Sequence, residues 1–416
     1  MVWTPGRVAA LGVAVAAVAG AASLARAAAG VPTAIGARRG ALRAAADGSA
    51  HQRDGFFHNT EPPTGGSDTR TILRALLARG EIGTPAGPVP LAPVHVPARA
   101  APLAVTWFGH SSALIEIDGR RVLVDPMWGE RASPSRRVGP RRLHAAPVAL
   151  SALPPVDAVL LSHDHYDHLD LPTVRALARG TGAVFVVPLG LGAHLRRWGV
   201  PGERVVELDW GARVEIAGLA LHCAQARHFS GRALVRNMTL WSSWAILGPR
   251  SRVYFGGDTG YTPAFARTGA ELGPFDLVLL PVGAYSHHWP DVHMDPEQTV
   301  RAHADLRGDV LLPVHWATFN LAFHGWSEPV ERVVAAGDAA GIRLVVPRPG
   351  ERVDLAVRPE LRDWWTEVGS AGVSVPASDP ARRGGLRIPL AGLFRFGSVP
   401  SVDTTHPGFD NVRGID

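Results

Sequence analysis

Residues 158–170 read AVLLSHDHYDHLD, and this stretch decides the fold. Its first four residues are typical of a strand that is buried on both faces. Side chains at positions i and i+2 of an extended segment point the same way, so His163 and His165 can bind one metal ion together. Asp167 and His168 follow where the chain turns toward a helix, and they can face a second ion. A solvated polar loop is the alternative, but crowding these side chains together without metal would be costly.

A site for two ions needs further ligands, and the sequence offers three of them just after apolar runs that we predict to be strands. A position at strand ends is what an active site at one edge of a sheet requires. The aspartate among them follows two glycines, which let the backbone approach the site closely. These three residues are His228, Asp258 and His315.

The nitrogen and oxygen ligands of this set suit zinc or another borderline divalent ion. We expect a water between two such ions to be acidified to hydroxide and to act as the nucleophile. The predicted first ion is held by His163, His165 and His228, the second by Asp167, His168 and His315, and Asp258 bridges the two.

Strands and helices alternate on both sides of this stretch. The apolar runs are short, and Asp118-Gly119 predicts a hairpin turn between two of them. The interleaved helices are predicted at about 173–179, from about 295 onward and at about 328–336. This alternation predicts an α/β fold with two mixed sheets and helices on their outer faces.

The chain divides into four parts by composition. Residues 28–103 are rich in Ala, Gly and Pro, with one helix predicted at about 71–79. We expect this part to be an N-terminal extension and linker that packs partly on the core. The hydrolase-like domain is predicted at 104–356, and 357–416 is predicted to be a partly irregular C-terminal extension.

The N-terminus carries an apolar run from Val8 to Ala25 behind Arg7. The run ends in a small-x-small pattern, so residues 1–27 are predicted to be a cleaved export signal. At about 18 residues the run is also long enough to stay as a membrane anchor. A cytoplasmic protein with an Ala-rich tail is a third alternative.

Charge and cysteine content exclude some classes of site. The formal net charge is +5, but the sequence contains no Lys, so all 42 basic residues are Arg. This looks like a bias in the coding DNA, and no nucleic-acid partner is expected. Cys223 is the only cysteine, which rules out an intramolecular disulfide and a cysteine-based zinc site.

In residues 163–168 the chain resembles the metallo-β-lactamase superfamily, whose His-x-His-x-Asp-His signature it carries intact. The resemblance implies an αββα sandwich. A closer resemblance, over about 56–354, is to N-acyl-phosphatidylethanolamine-hydrolysing phospholipase D and its bacterial relatives. The stretches that carry it include 109–112, 125–128, 139–142, 225–228, 255–261, 281–285, 293–297 and 315–319.

By this resemblance all seven predicted ligands match metal positions of the family. His293 matches a family histidine near the substrate phosphate, so it could donate a hydrogen bond or a proton there. The catalytic residues implied are Asp167, Asp258 and His293. The loop 286–290, SHHWP, departs from the family's usual sequence, and substrate recognition there can differ.

The resemblance implies a phosphodiesterase that cleaves a phospholipid at a membrane surface, as phospholipase D does. A lactonase or a soluble phosphodiesterase of the same superfamily is the alternative, and a surface-tethered binding module with a vestigial site is a remote one. Five arginines in 131–142 could contact phosphate headgroups or simply be solvated. The tryptophans that could line an acyl groove or pack in the core are Trp198, Trp289 and Trp326.

Overall fold

The structure is a computed structural model, and it describes residue 20, residues 22–357 and residues 361–371. The strands are β1 (Gln52–Arg53), β2 (Phe56–Phe57), β3 (Thr84–Pro85), β4 (Leu103–Trp107), β5 (Ala113–Ile117), β6 (Arg120–Val124), β7 (Ala158–Leu160), β8 (Val184–Pro188), β9 (Val205–Leu208), β10 (Arg213–Ile216), β11 (Leu219–Ala224), β12 (Ser243–Leu247), β13 (Arg252–Phe255), β14 (Phe275–Pro281), β15 (Gly308–Val314), β16 (Arg343–Leu344), β17 (Arg352–Asp354) and β18 (Ser370–Ala371).

The helices alternate with these strands over most of the chain. They are α1 (Val31–Ile35), α2 (Arg39–Ala46), α3 (Thr69–Ala78), α4 (Leu171–Gly180), α5 (Gly192–Arg197), α6 (Ala264–Glu271), α7 (Pro296–Asp305) and α8 (Glu328–Ala340), with short 3-10 helices at Leu150–Ala152, Gly202–Arg204 and Trp364–Glu367.

Two seven-stranded sheets form the body of the described part of the chain. The first has the order β17-β4-β5-β6-β7-β8-β9, and the second has the order β10-β11-β12-β13-β14-β15-β16. Each sheet is mixed, because its antiparallel strands give way to parallel ones at β6 and at β13 respectively. Both sheets are flanked by helices, which confirms the predicted α/β sandwich of two mixed sheets.

Side chains alternate along each strand, so neighbouring residues of a strand pack in different apolar clusters. Leu160 of β7 packs in the large apolar cluster that the two sheets share, whereas Val159 packs in a second cluster with Val174 and Leu177 of α4. All three residues of β7 are buried, as the sequence predicted. The strand that carries the histidine-rich loop is therefore fixed from both sides.

The predicted hairpin turn is present. Residues Ile117 and Arg120 pair across the β5–β6 hairpin. Between them Asp118 and Gly119 have φ values of 48° and 79°. Positive φ at both central residues is the requirement of a type I′ turn, which Asp-Gly satisfies.

Parts of the predicted domain division lie outside the described residues. They are residues 1–19 and 21 of the predicted export signal, and 358–360 and 372–416 of the predicted C-terminal extension. The three boundaries between the four predicted parts stay a prediction. In the described part of the chain no helix has both the length and the apolar character needed to cross a bilayer.

Candidate metal centre

The loop after β7 is held in place by a buried carboxylate. Asp125, which directly follows β6, accepts hydrogen bonds from the Ser162 backbone N–H at 2.7 Å and from the Ser162 hydroxyl at 2.6 Å. Oδ2 of the same side chain lies 2.7 Å from Nδ1 of His168 and accepts a hydrogen bond from it. Since Nδ1 donates to Asp125, Nε2 of His168 is left to face the centre.

All seven predicted ligands are brought together. One group contains His163, His165, His228 and Asp258, with the ligand atoms of its members within 4.8 Å of one another. Within it, Nδ1 of His165 lies 2.9 Å from Nε2 of His163 and 3.2 Å from Nε2 of His228. Three ring nitrogens that converge in this way form a compact donor set for one metal ion.

The second group contains Asp167, His168 and His315 together with His110, which we had not predicted as a ligand. Nε2 of His110 donates to Oδ2 of Asp167 at 2.9 Å. The same oxygen lies 3.4 Å from Nε2 of His168 and 3.4 Å from Nε2 of His315. A third group joins Asp258 and His315 with His293. The assignment of the seven residues to two metal ions stays a prediction.

Asp258 lies where the two groups meet. Its Oδ2 is 3.0 Å from Nε2 of both His168 and His315, and 3.8 Å from Nε2 of both His163 and His228. One carboxylate oxygen therefore approaches histidines of both groups. This is the position that a bridging carboxylate would take.

Close approach of two loops makes this position possible. Gly257, directly before Asp258, has a φ of +58°, and a Cβ atom added there would lie 2.5 Å from Cβ of Ser162. The left-handed backbone and the lack of space both favour glycine here. The glycine pair thus lets the loop after β13 pack against the loop after β7.

The donor atoms fit a divalent cation. Oδ1 of Asp258 and Nε2 of His315 are buried and have no hydrogen-bond partner among the described residues. Buried polar atoms without a partner are rare in native proteins and call for an explanation such as a bound ion. Burial also lowers the pKa of His163 and of His228 well below the usual value, which favours the neutral imidazole that binds metals.

Two buried carboxylates and the histidines beside them shift one another's pKa values. Burial alone would raise the pKa of Asp258, but the nearby His168, His315 and His293 lower it well below its usual value. Conversely, burial would lower the pKa of His315, yet Asp258 and Asp167 outweigh it and raise the pKa to about 9. The carboxylates are therefore charged, and they attract cationic groups.

His293, predicted to be catalytic, lies at the border of this centre. Its Nε2 is 4.0 Å from Oδ2 of Asp258, and burial lowers its pKa to about 3. It also lines a cavity of about 970 Å³ whose wall is formed by residues from 53–72, 227–237 and 284–293, with Leu321. His228 lines the same cavity, so the cavity opens onto the metal centre.

The sequence left two roles open for each of three tryptophans and five arginines, and the structure decides between them for the tryptophans and for one arginine. Trp289 lines the cavity, whereas Trp198 and Trp326 are packed in the apolar core. Arg142 points inward and donates to the backbone oxygens of Met127 and Phe108. An inward Arg142 does not provide a headgroup contact.

Sequence reasoning assigned no role to three residues around the centre. They contact predicted ligands that are distant in the chain, so no local spacing could have indicated them. Two of them occur in stretches that carry the family resemblance. The three are Asn59, His110 and Asp125.

Comparison with known proteins agrees with this geometry. Residues 120–316, which include all seven predicted ligands, match the model of the beta-lactamase superfamily domain. An uncharacterised protein of Mycobacterium tuberculosis is 53% identical over 350 residues, which is 82% of this chain and 94% of that protein. The chain belongs to the metallo-β-lactamase superfamily. As a member of this superfamily with clustered His and Asp ligands, it is a metal-dependent hydrolase.

Two further relatives of this metallo-β-lactamase superfamily member are phospholipase D enzymes. The N-acyl-phosphatidylethanolamine-hydrolyzing phospholipase D 1 of Caenorhabditis elegans is 36% identical over 231 residues, 53% of this chain and 65% of that protein. The mitochondrial enzyme of the same description from Saccharomyces cerevisiae is 29% identical over 252 residues, 58% of this chain and 53% of that protein. These relatives confirm the predicted family resemblance.

Proposed function

We propose that this chain is a phosphodiesterase of phospholipase D type that acts on N-acyl-phosphatidylethanolamine or a related phospholipid with two divalent metal ions, most simply Zn²⁺. The observation that carries the proposal is a two-group cluster of buried histidines and aspartates open to a large cavity. The relatives of matching description support the substrate class.

The residues that would hold the ions follow from the two groups. His163, His165 and His228 would hold one ion, Asp167, His168 and His315 the other, and Asp258 would bridge them. When bound, two such cations lower the pKa of water and offset negative charge on an attacked phosphoryl group.

The chain's own side chains would orient the substrate. Because burial keeps His293 neutral at physiological pH, one of its ring nitrogens can donate a hydrogen bond to a phosphoryl oxygen. The ring borders both Asp258 and the cavity, so a phosphate at this border would lie beside it.

The cavity suits an amphiphile. Apolar side chains on its wall include Phe229, Trp289 and Leu321, and Arg53 and Arg236 provide positive charge. Acyl chains can pack on the apolar part while an anionic group lies near the arginines. A volume of about 970 Å³ is at the large end of the range for small-molecule sites.

The proposed substrate also bears on where the protein is located. A phospholipid substrate requires the protein to reach a membrane surface, and an export signal or anchor in residues 1–27 would bring it there. The membrane surface and the export signal or anchor remain part of the proposal.

Hydrolysis of N-acyl-phosphatidylethanolamine in mixed micelles by zinc-loaded protein tests the proposal, with His165→Ala as the control. We expect release of phosphatidic acid and of the N-acylethanolamine by the unsubstituted protein only. A protein that binds two ions but leaves this lipid intact would contradict the substrate. Soluble phosphodiesters and lactones would then be assayed, since the alternatives predict activity on one of them.

A further inference from the structure

The segment Asn59–Ser67, which we call the strap, belongs to the predicted N-terminal extension and lies outside the matched superfamily domain. We propose that the strap positions two histidines of the candidate site, His228 through Asn59 and His293 through Thr64. The proposal rests on the metal centre of the proposed function. It adds a role for a segment that the superfamily domain does not include.

Asn59 holds both main-chain polar groups of His228. Its Nδ2 donates to the His228 carbonyl oxygen at 2.8 Å, and its Oδ1 accepts from the His228 N–H at 3.1 Å. The indole N–H of Trp241, a buried core residue, donates to the same Oδ1 at 3.1 Å. β11 ends at Ala224, and an isolated antiparallel bridge joins Arg227 to Gly260. Asn59 then fixes the main chain of the next residue, His228.

The ring of His228 is held from the other side of the site. Its Nδ1 donates to the Val292 carbonyl oxygen at 2.8 Å. This bond leaves Nε2 to face Asp258 and fixes the tautomer that a metal requires. Val292 directly precedes His293, so the ring of His228 is held by the loop that carries His293.

Thr64 holds the loop that carries His293. Its N–H and hydroxyl both donate to the Asp291 carboxylate, at 2.8 Å and 2.5 Å. Arg227, directly before His228, pairs with the same carboxylate at 2.7 Å and donates to the Pro62 carbonyl oxygen at 2.8 Å. Asp291 therefore joins the strap to the residues beside both histidines.

These hydrogen bonds form a closed ring of contacts, which we call the circuit. It runs from Asn59 to His228, from the His228 ring to Val292, from Asp291 to Thr64, and back along the strap. A closed circuit restrains each member more than a single hydrogen bond does, because one link cannot open without straining the others. Removing a link should loosen the His228 ring and weaken the binding of the ion that it would hold.

The variant Asn59→Asp tests this inference. The substitution preserves shape and the acceptor for Trp241 and for the His228 N–H, but it replaces the donor to the His228 carbonyl with a carboxylate oxygen. Zinc affinity is measured by competition with a chromophoric chelator. We expect one of the two ions to bind about tenfold to a hundredfold more weakly, as is typical when partners of metal ligands are lost.

Asn320→Asp is the matched control. Asn320 donates to the Ile82 carbonyl oxygen at 2.7 Å, so it also ties the N-terminal extension to the core. It makes no described hydrogen bond to a predicted ligand. A purely structural role of the strap predicts equal zinc affinities in the two variants, which would overturn the inference.

A second variant keeps the test decisive if Asn59→Asp does not fold. Thr64→Val removes one hydroxyl at an exposed position, and we expect about a threefold to tenfold loss of zinc affinity. Unchanged affinity would overturn the circuit. Protein that binds zinc as expected but cleaves no lipid would contradict the proposed substrate and leave the strap's role intact.

Discussion

At the scale of single residues, His165 and His293 differ in the groups that surround their rings. His165 contributes a ring nitrogen that lies within 3.2 Å of those of its two neighbours in the first group. The His293 ring lies 5.1 Å from that of His315 and 5.2 Å from that of His228, and His293 faces the cavity. We infer that the first would hold an ion and that the second would contact the substrate.

We therefore expect His293→Ala to retain both zinc ions but to lower kcat about a hundredfold, the usual contribution of a hydrogen-bonding or proton-transferring group. His165→Ala should instead lose about one zinc ion per chain together with its activity. Metal content by mass spectrometry and kcat on the lipid measure both. Loss of zinc in His293→Ala would show that this histidine is a ligand.

The sequence indicates the seven candidate ligands because each signal is local. His163 and His165 are indicated by alternation, and His315 and Asp258 by their position after an apolar run. Asn59 carried no such signal, because it meets His228 across 169 residues of chain. Its contact depends on how the N-terminal extension folds back, which no short pattern encodes.

At the scale of elements, the ends of strands provide the site, and a helix cap fixes the end of one of its loops. Helix α7 begins at Pro296, and Asp295 is its N-cap. The Asp295 carboxylate accepts from the Gln298 N–H at 2.8 Å, and the Gln298 side chain accepts from the Asp295 N–H at 3.2 Å. This capping box ends the loop that carries His293.

Asp295→Ala should lower the free energy of unfolding by about 1 kcal/mol, since α7 buries five of its residues against the sheet and its cap is part of the cooperative core. Asp68→Ala is the matched control: Asp68 caps α3, which buries none of its residues. That change should fray α3 locally and leave the urea midpoint unchanged. Equal shifts in the two midpoints would contradict this distinction.

Element prediction succeeded where amphipathic or apolar runs were long. Helix α3 was expected at about 71–79 and occupies Thr69–Ala78, and α4 and α8 also lie where the periodicity placed them. Helices α1, α2, α5 and α6 were not predicted, so the expectation of one helix in residues 28–103 was wrong. Each of the four is short, and three of them contain or begin at a glycine, which weakens the local helical signal.

At the scale of the whole molecule, the candidate ligands come from both sheets. His163, His165, Asp167 and His168 follow β7 of the first sheet. His228, Asp258 and His315 follow β11, β13 and β15 of the second. Each proposed ion would thus take ligands from both halves of the sandwich. The sequence placed these ligands at strand ends, but it could not assign the strands to two sheets.

Ions held in this way would link the two sheets and stabilise the whole fold. An ion that binds only the folded chain stabilises it by about 2.7 kcal/mol when present at a hundred times its Kd. We therefore expect an excess of chelator to lower the thermal midpoint by at least about 5 °C, and added zinc to restore it. His165→Ala, which should lack one ion, is expected to respond less.

If metal analysis shows that both ions are gone and the midpoint has not moved, the ions do not join the sheets. The site would then be preformed by the protein's own contacts, among them the circuit through Asn59.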